Sequence, residues 1–165
     1  MEIPKYVQPL LHRSMSGPVT LDAIDLGILR EYLSDSRQSC RKLAEKLNLA
    51  VGTVLSRTRK LEASGVIKAY SAILDHQRLG YTLTAVTEMT VSKGKLVEVE
   101  QEVASWPMVC AVYDVTGLTD IMIIAKFKSR EDLSAFTKKL LSLPNAERTN
   151  THVVLTTVKE DFRLL

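Results

Sequence analysis

SCRKLAEKLNLAVGTVLSRTRKLEASG, residues 39–65, decides how the N-terminal half of this chain folds. Ser39 is a good helix N-cap, because its hydroxyl can take up an unsatisfied N–H of the first turn. Leu43, Ala44 and Leu47 then repeat at helical spacing, while Arg41, Lys42, Glu45 and Lys46 fall on the other side. Asn48-Leu49 breaks the run. A further helix over residues 50–63 comes next, with Val51, Val54, Leu55, Thr58 and Leu61 directed inward. Its open side is left to Gly52, Thr53, Ser56, Arg57, Arg59 and Lys60. Ser64-Gly65 stops it, glycine being the residue that tolerates a left-handed helix end.

Upstream, Asp22 opens another helix, and Asp25 adds negative charge to its first turn, where the helix dipole favours it. Ile24, Ile28, Leu29, Tyr32 and Leu33 form its apolar face, and Ser34-Asp35-Ser36 ends it. Three helices thus occupy residues 21–65. Residues 1–20, with Pro4, Pro9, Gly17 and Pro18, hold no sustained period and read as an N-terminal extension.

Downstream the rhythm changes. Residues 66–74 favour a strand, and Asp75 to Gly80 a hinge, so residues 66–80 read as a strand and hinge linker. Leu83, Ala85, Thr87, Met89 and Val91 alternate as a strand does. A helix at about 95–105 is closed by Trp106-Pro107. Strands come next at Met108 to Thr116 and Asp120 to Lys128, separated by the turn Gly117-Leu118-Thr119. Ser129-Arg130-Glu131-Asp132 is a capping box for a helix bearing Leu133, Phe136, Leu140 and Leu141. Pro144-Asn145 ends that helix, and Arg148 to Val158 is a last strand. Residues 81–165 therefore have the order βαββαβ, a ferredoxin-like unit, and the fold class is α+β.

The overall charge of +3 is unevenly divided. Residues 1–80 carry 12 Lys/Arg and 8 Asp/Glu, a balance of +4, against 10 and 11, or −1, in residues 81–165. Within residues 37–60, seven cations (Arg37, Arg41, Lys42, Lys46, Arg57, Arg59, Lys60) face one acid, Glu45. Such a density attracts a polyanion through phosphate neutralisation and counterion release. Two short helices joined by a tight turn place the second at a steep angle to the first, where it can enter a DNA major groove. Thr53, Ser56 and Arg57 would then face base edges, Gly52 would permit close approach, and Arg57 would pair with guanine. Arg37, Arg41, Lys42, Arg59 and Lys60 would touch phosphates. A three-helix bundle with a solvated basic face is the bland alternative.

Other classes fit less well. At 45% hydrophobic and 25% charged, the chain has the composition of a folded globular protein. Its apolar runs, such as Ile121 to Ala125, are too short for a membrane span. Cys40 and Cys110 form no metal or disulfide framework, which reads as a reduced, cytoplasmic protein. His12, His76 and His152 match no metal motif, and there is no G-x-S-x-G, P-loop or G-x-G-x-x-G, so no cofactor and no enzymatic activity are expected.

The sequence resembles the feast/famine regulators, the Lrp/AsnC family. The resemblance rests on Leu26-x-x-Leu29, Arg41-x-Leu43-Ala44, the stretch Thr53-Val54-x-x-Arg57-x-x-x-Leu61-Glu62-x-x-Gly65-Val66-Ile67-x-x-Tyr70, Leu79-Gly80, and Val115-Thr116-Gly117-x-x-Asp120. It implies a homodimer, often built further into tetramers or octamers, that binds pseudo-palindromic DNA and pairs its C-terminal sheets face to face. It also implies an amino-acid effector between subunits, near Gly117, Leu118, Thr119 and Asp120. Asp120 would take the ammonium, and Thr149 and Thr151 would hydrogen-bond the effector. Three positions depart from the family pattern: Ala50, where Ser or Thr usually caps the helix; Ser56, where a base is common; and the turn Gly-Leu-Thr-Asp itself. Two other readings stay open, a haem-pathway decarboxylase of related sequence and an architectural DNA-binding protein of low specificity.

Overall fold

A computed structural model describes residues 17–165, so the expected extension at residues 1–20 lies almost wholly outside the described residues. These residues divide into two units, one of residues 17–73 with 160–165 and one of residues 74–159.

The first unit holds three helices: α1 (Ala23–Ser34), α2 (Cys40–Leu47) and α3 (Val51–Ala63). Each start has a local cause. The Asp22 carboxylate accepts from the Asp25 N–H, and the Asp25 carboxylate accepts from the Asp22 N–H, a reciprocal cap. The Ser39 hydroxyl accepts from the Lys42 N–H, as its position implies. Asn48 ends α2 in the left-handed conformation, with φ 53°, which turns the chain directly into α3. Ala50 occupies the N-cap of α3 and offers no side-chain hydrogen bond. Ile28, Leu29, Leu43, Ala44, Val54 and Leu61 form the core of this unit.

Two expectations need correction here. Val51 and Leu55, assigned inward by periodicity, are exposed, at 47% and 39%. The buried stripe of α3 is the narrower set Val54, Thr58 and Leu61, spaced i, i+4 and i+7. The strand expected over residues 66–74 does not form; among the described residues no strand stands between α3 and Leu83. A strand needs a neighbour for its backbone, and these side chains are used otherwise. Val66 and Ile67 pack against the helical core. Tyr70 meets the Tyr32 ring edge to face at 5.3 Å and donates its hydroxyl to Glu62 at 2.9 Å.

The second unit runs β1 (Leu83–Val91), α4 (Leu96–Ala104), β2 (Val109–Asp114), β3 (Ile121–Phe127), α5 (Arg130–Leu141), β4 (Ala146–Val153). All pairings are antiparallel, and the spatial order is β2-β3-β1-β4, the ferredoxin-like arrangement expected from the element order. Both helices cover one face, where Val99, Val103, Phe136 and Leu140 meet Ala85, Met89, Ile121, Ile123, Ala125 and Phe127. The strict alternation of burial along β1 comes from its period of two. The Ser129 hydroxyl accepts from the Asp132 N–H, the forward half of the expected capping box. β4 stops at Val153 rather than Val158, because β1 begins at Leu83 and the ladder runs out: the Val154 N–H takes Thr84 O at 2.9 Å.

Since α3 begins without a cap, Ala50→Ser should stabilise the helical unit by about 1 kcal/mol. Urea unfolding monitored by helical circular dichroism would show a higher midpoint at unchanged slope; an unaltered midpoint would mean that the first-turn N–H groups are satisfied in another way.

Candidate nucleic-acid interface and effector turn

On α3, burying Val54, Thr58 and Leu61 leaves Val51, Gly52, Thr53, Ser56, Arg59 and Lys60 exposed along the opposite side. Gly52 has nothing within 4 Å of where a Cβ would stand, so its surface is open for close approach. Val51, which the sequence reading placed in the core, adds an apolar group to the same helix start; an aliphatic side chain at such a place suits a thymine methyl.

The expected phosphate-contact cations fall into two groups. Arg37 pairs with Asp35 at 3.0 Å and Arg41 with Glu45 at 3.6 Å, with both arginine side chains more than 80% exposed. Exposed pairs of this kind contribute little to stability and exchange readily for another anion. Lys42, Arg59 and Lys60 are exposed and in no ion pair among the described residues.

Arg57 meets two acids at the start of α1. Its Nη1 donates to Asp22 Oδ2 at 2.6 Å and to both Asp25 carboxylate oxygens at 3.2 Å. Asp25 is only 3% exposed. A carboxylate so far removed from water needs a partner, and Arg57 supplies it. The guanidinium thus fastens α3 to the start of α1. The Asp25 N–H, above all, and the Arg57 guanidinium hold the Asp22 carboxyl below its usual range. The sequence showed these acids as helix-start residues only; nothing local marks a partner more than thirty positions away.

In the second unit, Gly117 has φ +131°, a conformation that favours glycine. Leu118 is fully exposed and Thr119 half-buried. Asp120 closes the turn. Its N–H donates to Met89 O at 3.0 Å, its carbonyl accepts from the Val115 N–H at 3.0 Å, and its carboxylate accepts from the Val91 N–H at 2.8 Å. That last bond lies where the β1–β4 register shifts between Thr90 and Val91. Thr149 and Thr151 share a strand face, as expected, opposite Met89 and Thr87. The Thr151 hydroxyl is bonded to Thr87 at 3.0 Å, while Thr149 lies one strand from the Asp120 turn.

Glu100 on α4 was missed. Burial and the charge of Asp114 push its carboxyl up, and its Oε1 has no hydrogen-bond partner among the described residues. Its neighbours in sequence are a mixed helical face, so only the packing of α4 on β2 marks it.

Arg57→Ala should lower the urea midpoint of the helical unit, because it removes the cation paired with the buried Asp25 carboxylate. The Asp22 carboxyl is depressed by folding, so its contribution is complete above the ordinary aspartate range and lost as pH falls through the lower folded value; Asp22→Asn should flatten stability in that acid window. Glu100 carries the opposite sign: with its folded value raised, ionisation destabilises the fold as pH rises past the ordinary glutamate range. Glu100→Gln should therefore raise Tm at pH 7 but not at pH 4, and equal shifts at both would remove the charge as the cause.

Residues 84–164 match the family described as the Lrp/AsnC ligand binding domain, and residues 21–68 match a winged helix-turn-helix DNA-binding family. An HTH-type transcriptional regulator of Pyrococcus horikoshii is 51% identical over 144 residues, covering 87% of this chain and 97% of its own length. Among solved structures, Bacillus subtilis LrpC superposes with a TM-score of 0.78 at 31% identity, over 87% of this chain and 100% of that one. A transcriptional regulator of Neisseria meningitidis, solved as a complex with L-Met, gives a TM-score of 0.81 at 28% identity, over 88% and 97%.

Proposed function

The chain belongs to the Lrp/AsnC family of HTH-type transcriptional regulators, and from that premise we propose that it binds a specific DNA sequence as a homo-oligomer under the control of an amino acid. One observation carries this reading: α3 is anchored by Val54, Thr58 and Leu61 while Gly52, Thr53, Ser56, Arg59 and Lys60 stand clear of the protein along one side. Thr53 and Ser56, with Val51, are the base-reading set. Arg37, Arg41, Lys42, Arg59 and Lys60 are the phosphate set, and Arg57 orients the helix that carries both.

The sheet face opposite α4 and α5 supports self-association. Register places Val86, Met122, Ile124 and Tyr113 there, together with Glu88 and His152. A second copy laid on this face would remove those apolar groups from water, pairing the sheets of two subunits. Such a dimer presents two α3 helices to half-sites about one helical turn, or a multiple, apart.

Support for an effector comes from the turn at Gly117–Asp120 and from the L-Met complex of the Neisseria meningitidis relative. The Asp120 carboxylate has one oxygen on Val91 N–H, and the other is the place for an ammonium group. Thr149 is the second contact. An effector acts here by binding unequally to two assembly or DNA-binding states. In this reading the protein is a cytoplasmic regulator and not a catalyst.

The test is selection of bound DNA from a random pool, then anisotropy titrations at several salt concentrations. Thr53→Ala or Ser56→Ala should change preference at one or two positions and cost about 1–3 kcal/mol on the preferred site. Arg59→Ala or Lys60→Ala should weaken binding on all sequences and lower the salt slope by about one. If the selected site is indifferent to Thr53 and Ser56, α3 is not the reader.

A further inference from the structure

A recess of about 330 Å³ opens in the second unit where the end of β3 meets the start of α5. That volume lies within the range of small-molecule sites. The recess shares no residue with the turn at Gly117–Asp120, which lies at the other end of β3, about 20 Å away at the rise of an extended strand. Its apolar walls are partly open: Tyr81 and Met108 are half-buried, and Pro107 and Ala135 are exposed. Phe127 and Phe136, each 2% exposed, lie behind them. Trp106 lines the recess too. Its indole N–H is already given to Glu102 at 2.9 Å, so only the ring is left to meet a ligand.

Three lysines and one acid complete the lining. Lys126 is buried and turns to Thr84 Oγ1 at 3.5 Å. Lys128 and Lys139 are exposed, and each lays its ammonium on a ring. Lys128 Nζ is 5.0 Å from the centre of Tyr81, and Lys139 Nζ is 3.8 Å from the centre of Trp106. Neither is in an ion pair among the described residues. The acid, Asp132, stands in the first turn of α5, where the helix dipole offsets its charge. An exposed ammonium held by a ring face is held weakly, and a carboxylate offers it a stronger, charge-assisted bond. Lys139 also covers the indole, which is 4% exposed. Moving its ammonium onto a carboxylate uncovers that ring for an apolar body. Aromatic walls favour a flat ring, through offset or edge contacts. We propose that this recess binds a small aromatic carboxylate, with Lys128 and Lys139 taking the charge and Tyr81, Met108 and Trp106 taking the ring.

Trp106 is the one tryptophan of the chain, so its fluorescence reports on this recess directly. The experiment titrates the full chain with sodium 3-phenylpropionate at fixed ionic strength and follows that signal. A saturable change is expected. The ring without the charge, 3-phenylpropan-1-ol, and the charge without the ring, propionate, should each bind at least about tenfold more weakly. Lys139→Met keeps an unbranched stem over Trp106 and removes the ammonium; affinity should fall about tenfold with Tm unchanged. Lys128→Met should act in the same direction. Asp132→Asn should tighten binding, an opposite sign that loss of packing would not produce. Asp120→Asn should leave the titration unaltered, which separates this recess from the effector turn. No saturable change, equal affinity for 3-phenylpropan-1-ol, or wild-type affinity in both lysine variants would overturn the proposal.

Discussion

A carboxylate that folding almost removes from water must be matched by a cation, and the pairing of Asp25 with Arg57 is the constraint around which the helical unit is arranged. Asp25 is buried because it completes the cap of α1, and its own N–H is held by Asp22. Arg57 reaches both acids from the middle of α3. Its position fixes the roll of α3 about its own axis, since the same turn of helix directs Val54 and Thr58 into the core. The side left outside holds Gly52, Thr53, Ser56, Arg59 and Lys60. In the proposed reading, Arg57 serves base recognition indirectly, by orienting the helix that offers Thr53 and Ser56.

The second unit obeys a different rule. Four antiparallel strands with two helices on one side leave the other side uncovered, and a sheet can face water on one side only if that side is mostly polar. Here it is mixed: Val86, Met122 and Ile124 alternate with Glu88, Lys126 and Thr84. Self-association through this face is consistent with that composition. The Asp120 turn bears on the strand pairing as well. Its backbone and carboxylate hold β1 near a break in register, so any ligand that engages the carboxylate also acts on the strand.

Charge is distributed to match. Exposed cations on the helical unit sit in weak, replaceable pairs or in none, which keeps them available to phosphate without destabilising the fold. Glu100 shows the reverse in the C-terminal unit, where burial and the nearby charge of Asp114 push its carboxyl up.

Helix starts and the order of elements were legible in the sequence, because they depend on neighbours. Asp22, Ser39 and Ser129 each cap the helix directly after them, and the alternation of β1 and the period of α1 need only spacing. The βαββαβ order then left few topologies. Partnership across the chain was not legible. Asp22, Asp25 and Arg57 are ordinary helix residues until folding brings them together, and the periodic stripe of α3 could not tell Val54 from its neighbours Val51 and Leu55. Residues 66–74 have the composition of a strand, but composition supplies no neighbour for the backbone; Val66 and Ile67 pack on the helical core instead, and residues 68–74 are exposed. Local capping and spacing settle which elements form; burial, which is decided only when elements meet, settles which side each one shows and which charges must pair.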